Sequence, residues 1–117
     1  MARLSAEDKA RVGARAALEK KAEGVVIMDL QGISGVADFF LVASAQSTTQ
    51  LQTIVETIEQ TLKTQGVRLH HSEGVPESGW LLLDYGGVVI HIFLEATRAF
   101  YALERLWGDA PVLSVEG

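Results

Sequence analysis

Few side chains in this sequence could carry out chemistry, and most of them stand apart. Residues 78–93, SGWLLLDYGGVVIHIF, place an aspartate, a tyrosine and a histidine among apolar residues. A magnesium-dependent nucleotidyl-transfer site needs two or three carboxylates that converge on the metal, commonly in a D-x-D pattern. Asp29, Asp38 and Asp84 each stand alone. The sequence therefore does not predict a site of this kind.

Other catalytic and metal-binding patterns are also missing. The chain has no cysteine, which excludes disulfides, thiolate zinc sites and cysteine nucleophiles. It has no P-loop, no dinucleotide fingerprint and no G-x-S-x-G motif. Of the adjacent His70 and His71, at most one can join His91, because neighbouring strand residues point to opposite faces. We expect no catalytic residue, no metal site and no cofactor, and interpret the chain as a binding protein, not an enzyme.

Length and charge narrow the class of protein. A chain of 117 residues forms one domain with a core that needs no disulfide. Residues 1–23 hold six Lys/Arg against four Asp/Glu, whereas residues 24–117 hold four against eleven. An acidic body suits a basic protein partner better than a phosphate backbone. The alternative is that this charge only keeps the surface soluble.

Targeting signals are not apparent in the sequence. No run approaches the roughly 18 apolar residues of a membrane span. Residues 1–21 carry charges throughout, where a secretory signal would have an apolar segment. These features predict a soluble, cytoplasmic protein.

Capping patterns and hydrophobic periodicity predict three helices that must position these side chains. The first begins at a capping box at Ser5 and runs to about Lys21. The second begins at another capping-box pattern, Ser47 with Gln50, and ends before Gly66, which stands where a left-handed C-terminal cap is expected. Its apolar residues recur at helical spacing: Leu51, Ile54, Val55, Ile58 and Leu62. The third runs over residues 95–107.

Short β-branched and aromatic runs predict five strands, over residues 25–30, 38–45 and 67–72 and on both sides of Gly86-Gly87. The order is helix, two strands, helix, three strands, helix. This order predicts a single compact α/β domain with a mixed five-stranded sheet flanked by helices. Residues 1–23 would form the N-terminal helix and residues 24–113 the body. The helical crossover predicts that the second and third strands run parallel.

The last two strands form a hairpin whose register follows from its turn. With Gly86-Gly87 as a two-residue turn, pairing runs from Tyr85 opposite Val88 to Trp80 opposite Phe93. Because side chains alternate, one face shows Leu81, Leu83, Tyr85, Val88, Ile90 and Ile92, and the other shows Trp80, Leu82, Asp84, Val89, His91 and Phe93. The first face is typical of a core. The second would be a buried face with hydrogen-bonded polar groups or, if partly open, a protein interface; the pattern favours burial.

A second dense stretch, RAFYALERLWGDAP, follows the hairpin in the third predicted helix. Phe100, Leu103 and Trp107 have the spacing of a buried stripe. Tyr101 and Glu104 lie to one side of that stripe. This flank would be either a solvated surface or a contact surface with a charged rim.

Together these two stretches resemble the ribosomal silencing factor family, also called the Iojap-related family. The resemblance runs from about residue 6 to residue 113 and is most specific over GWLLLDYGGVVIHIFLEATRAFYALERLWGDAP. ADFFLVASAQS resembles the family's second-strand segment, and HHSEG resembles the exit of its third strand. The resemblance implies a nucleotidyltransferase-like fold without known enzymatic activity.

The resemblance also implies a function in translation. Family members bind the large ribosomal subunit at ribosomal protein number fourteen, block joining of the small subunit and damp translation in starvation. The motif positions that match, and that would form the partner surface, are Trp80, Asp84, Tyr85, His91, Phe93, Arg98, Tyr101, Leu103, Glu104 and Trp107. Alternatively, Leu103 and Trp107 belong to the hydrophobic core. Gly87 stands where the family commonly has Asp, which removes an acid from the hairpin tip.

Two other functions stay open from the sequence. One is a nucleotide-using enzyme on the related fold. The other is a homodimeric scaffold joined through a self-complementary hairpin face, since family members have been seen as dimers. The resemblance implies neither sequence-specific nucleic-acid binding nor a membrane partner.

Overall fold

The computed structural model describes residues 4–33, 35, 37–97, 110–113 and 115. Its helices and strands, in chain order, are α1 (Ala6–Glu19), β1 (Glu23–Asp29), β2 (Phe39–Ala45), α2 (Thr48–Thr64), β3 (His71–Glu73), β4 (Trp80–Asp84), β5 (Val88–Leu94) and β6 (Val112–Leu113). A short 3-10 turn, Pro76–Ser78, precedes β4. Residues 95–97 are helical, as predicted for the third helix, whose remaining residues lie outside the described part.

The strands form one mixed sheet in the order β3-β4-β5-β2-β1-β6. Of the strands in the described residues, only β2 and β5 are parallel neighbours; the other neighbouring pairs are antiparallel. The predicted α/β domain with a mixed sheet is confirmed, with six strands in place of five. The extra strand, β6, has two residues that pair with Ile27 and Met28. Such a short segment carries no readable hydrophobic period.

The third strand differs from its prediction in position and in neighbour. Gly66 adopts φ 79° at the end of α2, and Val67 N donates to Leu62 O at 2.9 Å. This is a Schellman cap, so the chain is still closing the helix where a strand was expected. The parallel partner of β2 is β5, not β3. Since β3 lies two antiparallel steps from β5, β2 and β3 do run in the same direction, but at different places in the sheet.

Both predicted N-caps are present. Ser5 Oγ accepts a hydrogen bond from Asp8 N at 3.1 Å, and Ser47 Oγ accepts one from Gln50 N at 3.1 Å. Each bond satisfies a backbone donor that has no partner within the helix. The first helix ends at Glu19, two residues before its predicted end, and Lys21 turns the chain with a left-handed φ of 64°.

Helices α1 and α2 cover one face of the sheet and form the larger core with it. All five predicted apolar residues of α2 are buried. The inner side of α1 consists of alanines and Gly13, and a Cβ at Gly13 would lie 3.0 Å from Leu41 Cδ2. Small residues therefore let α1 approach the sheet closely. A second apolar cluster lies on the opposite face, around Met28, Phe40, Val42, Val89 and Phe93.

The Gln50 side chain links the end of α1 to the start of α2 through hydrogen bonds. Its Nε2 donates to the carbonyl oxygens of Lys20 and Lys21 at 3.0 and 3.1 Å, and its Oε1 accepts from Gln46 N at 2.7 Å.

We expect Gln50→Ala to lower the free energy of unfolding by about 1–2 kcal/mol, because three hydrogen bonds are lost together. Urea denaturation measures the change. Gln52→Ala is the matched control, since Gln52 Nε2 donates only to Glu56 one helical turn away, a contact worth less than about 0.5 kcal/mol. An equal decrease in the free energy of unfolding of the two variants would contradict a stabilising role for the Gln50 hydrogen bonds.

Candidate functional site

The hairpin divides its side chains between the two faces of the sheet as the register predicts. The structure pairs Trp80 with Phe93, Leu82 with His91 and Asp84 with Val89, together with the two intervening pairs. We call one surface the Trp80 face, formed by Trp80, Leu82, Asp84, Val89, His91 and Phe93. β2 adds Phe40 and Val42 to this face, and β3 adds His71 and Glu73 at its edge.

Four aromatic rings pack together on the Trp80 face. The ring centroids of Trp80 and Phe93 are 5.3 Å apart in a stacked arrangement, and Phe40 meets His91 edge-on at 4.5 Å. His91 also lies 5.8 Å from Trp80 and 6.3 Å from Phe93. Offset and edge-on contacts of this kind add to the free energy gained by burial alone. The cluster therefore holds Trp80 against a rigid base.

A hydrogen bond fixes the Trp80 ring to the histidine. Trp80 Nε1 donates to His91 Nδ1 at 3.1 Å, so His91 is neutral with its proton on Nε2. The His91 side chain is only 4% exposed, and burial lowers its pKa from 6.5 to about 4. Within the described residues Nε2 has no hydrogen-bond partner. His91 thus serves as an acceptor that orients the indole.

The outer part of the Trp80 face combines apolar and acidic groups. Trp80 and Leu82 are half-buried, and the carboxylates of Asp84 and Glu73 lie beside them. A pocket of about 190 Å³ opens here, lined by Glu73, Gly74, Ser78, Trp80 and Leu82. An aromatic anchor with a charged rim is the usual composition of a protein interface, and here the rim is acidic.

Asp84 also has a structural role. Its Oδ1 accepts a hydrogen bond from Gly86 N at 2.9 Å, which closes the hairpin turn while Gly86 holds a left-handed φ of 92°. At the sheet edge, Glu73 Oε2 lies 2.9 Å from His71 Nε2. Both side chains of that pair are exposed, so it contributes little to stability.

The structure brings four of the predicted surface residues together: Trp80, Asp84, His91 and Phe93. His91 and Phe93 are buried beneath the outer residues. Tyr85 does not join them, because its side chain lies on the helix-covered face and is 2% exposed. The other predicted residues, Arg98, Tyr101, Leu103, Glu104 and Trp107, lie outside the described part of the chain.

Sequence reasoning missed two residues of this site, Glu73 and Phe40. It placed Leu82 on this face of the hairpin but did not name it among the residues of the partner surface. Glu73 follows the end of the strand predicted over residues 67–72, whereas β3 includes it. Phe40 reaches His91 only because β2 pairs with β5. No local pattern in the sequence indicates that long-range pairing.

The described residues offer no group of three or more His, Asp or Glu side chains suited to a metal ion. Over the same part of the chain, no helix has the length and hydropathy to cross a membrane.

Comparison with known proteins identifies similar chains. The family model described as "Ribosomal silencing factor during starvation" matches residues 3–117. The chain is 40% identical over 114 residues to ribosomal silencing factor RsfS of Halalkalibacterium halodurans, covering 97% of each chain. It is 39% identical over 106 residues to the protein of the same name in Bacillus subtilis, covering 91% of this chain and 90% of that one.

A more distant relative and two solved structures are also similar to this chain. Chloroplastic protein Iojap of Zea mays is 35% identical over 97 residues, which are 83% of this chain and 42% of that protein. A crystal structure of a Chromobacterium violaceum protein superposes with a TM-score of 0.85 at 28% identity, covering 90% of this chain and 88% of that one. One from Bacillus halodurans superposes with a TM-score of 0.77 at 36% identity, covering 89% and 94%.

Proposed function

The chain belongs to the ribosomal silencing factor family, and from this premise we propose that it represses translation by binding the large ribosomal subunit. The contact would be ribosomal protein number fourteen, and the bound factor would block joining of the small subunit by occupying its place. In this proposal residues 1–117 act as one such domain in the cytoplasm, with an N-terminal helix within residues 1–23 and a sheet-containing body over residues 24–113.

The observation that carries the proposal is the Trp80 face. Trp80 and Leu82 supply a half-buried apolar centre on a rigid aromatic base, and Glu73 and Asp84 supply an acidic rim. A few aromatic anchors within a standard interface of roughly 800 Å² per partner can offset the free energy lost when two bodies associate. His91 and Phe93 are buried beneath these outer residues and support Trp80. Arg98, Tyr101, Leu103, Glu104 and Trp107 extend the surface by family resemblance.

Charge supports a basic partner. Residues 24–117 carry eleven Asp/Glu against four Lys/Arg. The opposite electric fields of an acidic protein and a basic partner accelerate their encounter, and salt weakens this effect.

The hairpin tip also carries a negative charge nearby. Although Gly87 lacks the acid that relatives commonly have, Asp38 lies beside it. A Cβ at Gly87 would be 3.3 Å from Asp38 Oδ2 and 3.0 Å from Ala6 Cβ. The hairpin tip thus keeps a carboxylate from a neighbouring segment.

A binding role is favoured over an enzymatic one. Relatives over most of this chain are named as silencing factors, and the acids of the described residues form no metal-binding cluster. Asp84 is engaged in the hairpin turn, and Glu73 in an exposed pair.

Co-sedimentation with purified large ribosomal subunits tests the proposal. We expect the protein to pellet with them and, when small subunits are then added, to reduce the peak of joined ribosomes on a gradient. A folded sample that fails to bind at low salt would refute ribosome binding. Binding that leaves subunit joining unchanged would refute the steric mechanism alone.

A further inference from the structure

Tyr85 is a matching motif residue that the Trp80 face does not use, and it points into a groove on the other side of the sheet. The groove has a volume of about 530 Å³ and lies along α2, where the chain returns from that helix toward β3. We call it the α2 groove. Its charged and hydroxyl-bearing lining residues are Glu56, Glu59, Lys63, Arg68 and Tyr85. A space of this size is typical of small-molecule sites.

The Tyr85 hydroxyl has no partner in the described structure. The backbone of Tyr85 is paired, since its N–H donates to Val88 O at 2.9 Å and its carbonyl oxygen lies 3.5 Å from Lys9 Nζ. Little of the Tyr85 residue is exposed, and its hydroxyl makes no hydrogen bond with any described residue. Among the described residues, the one fully enclosed side-chain N or O atom without a partner is His91 Nε2, so the Tyr85 oxygen is open to the groove. The hydroxyl is therefore available to a ligand that enters the groove.

The negatively and positively charged side chains of the α2 groove lie toward different ends of the groove. Lys63 and Arg68 are the only lysine and arginine of the acidic body that the structure describes. Neither forms an ion pair there, although Glu59 lies one helical turn before Lys63. At about 1.5 Å per residue, Glu56 and Glu59 lie toward one end of the groove and Lys63 about 6 Å beyond Glu59.

The acidic end would gain from a positive charge. Burial raises the pKa of the Glu59 carboxyl, and the nearby Glu56 raises it further. Burial, with a smaller contribution from Glu59, raises the pKa of Tyr85 to about 12, so its hydroxyl is neutral. A bound cation would favour ionised Glu59 and could donate a hydrogen bond to the Tyr85 oxygen.

We infer that the α2 groove binds a small linear zwitterion, with its protonated amine between Glu59, Glu56 and the Tyr85 hydroxyl and its carboxylate against Lys63 and Arg68. Val67 and Leu69 line the same groove with apolar surface that suits an alkyl chain. This site goes beyond the proposed function, since Tyr85, which follows β4, lies on the helix-covered face of the sheet and Trp80 lies on the opposite face.

Titration of ¹⁵N-labelled protein with 6-aminohexanoate tests the inference, since that probe carries an amine and a carboxylate on an alkyl chain. We expect saturable shifts in the amide signals of residues 56–69 and Tyr85. Tyr85→Phe and Lys63→Ala should each weaken the affinity at least about fivefold by removing one hydrogen bond or one charge. Arg15→Ala, an exposed cation on α1, is the matched control and should leave the affinity unchanged.

Two single-charge analogues define the ligand class. Hexylamine and hexanoate should bind more weakly than the zwitterion, and the Glu59 pKa should fall when the zwitterion is bound. Absence of saturable shifts, equal binding of either analogue, or unchanged affinity in both groove variants would overturn the inference. Tyr85→Phe retains the ring that packs in the core, and Lys63 is exposed, so at least the lysine variant is informative if the other fails to fold.

Discussion

Trp80→Ala should weaken binding to the large ribosomal subunit by at least about 2 kcal/mol, or roughly thirtyfold. Trp80 is the largest half-buried side chain of the Trp80 face, and it is held in place by the stack on Phe93 and the hydrogen bond to His91. A pre-oriented aromatic anchor loses little conformational entropy on binding. Its removal therefore takes away contact area without a compensating gain in freedom.

Quantitative co-sedimentation over a range of subunit concentrations measures this loss. Because Trp80 also supports Phe93, thermal unfolding must first show that the variant is folded at the assay temperature. Gln52→Ala, on the exposed side of α2, provides the control and should bind like the wild type. If folded Trp80→Ala keeps full affinity, Trp80 is not part of the interface, and the partner must bind elsewhere.

Acid should destabilise the protein through His91. Its pKa is about 4 in the folded state, against 6.5 for an unperturbed histidine, because burial disfavours the charged ring. Between these two pH values the unfolded chain binds a proton that the folded chain does not. Stability is therefore complete above about pH 6.5 and declines as the pH falls toward 4, by up to about 3 kcal/mol.

Urea denaturation at several pH values measures this decline, and His91→Asn isolates it. Asparagine offers an acceptor oxygen near the position of Nδ1 for the Trp80 N–H but does not titrate in this range. Glu59, whose raised pKa acts with the opposite sign, is present in both proteins and cancels in the comparison. Equal pH dependence of wild type and His91→Asn would show that His91 is not the source.

Local features of the sequence predicted local structure well. Both serine caps, the apolar stripe of α2 and the left-handed Gly66 depend on residues within a few positions of one another, and all are present. The hairpin register is confirmed because a two-glycine turn and alternating side chains leave little freedom. Counting from that turn also places Tyr85 on the core face, where the structure has it, whereas a motif match says nothing about which face a residue occupies.

Long-range pairing could not be predicted in the same way. The place of β5 beside β2, and that of β6 beside β1, depend on how apolar surfaces close over many residues. For the same reason, the sequence could not predict which residues of other strands join the candidate site. Trp80, Asp84, His91 and Phe93 share a hairpin and were grouped correctly on one face, but Phe40 arrives from β2 and Glu73 from β3.

The central position of β5 has a consequence for synthesis of the protein. Its neighbours β2 and β4 belong to separate antiparallel pairs, β1–β2 and β3–β4, and β5 joins them into one sheet. A nascent chain that has not yet emerged beyond Val88 can form either pair but not the sheet, and it leaves the inner edges of both pairs open. Such edges attract other strands, and non-local pairing is slow. The nascent chain must therefore emerge from the ribosome as far as the end of β5, at Leu94, before the Trp80 face can form.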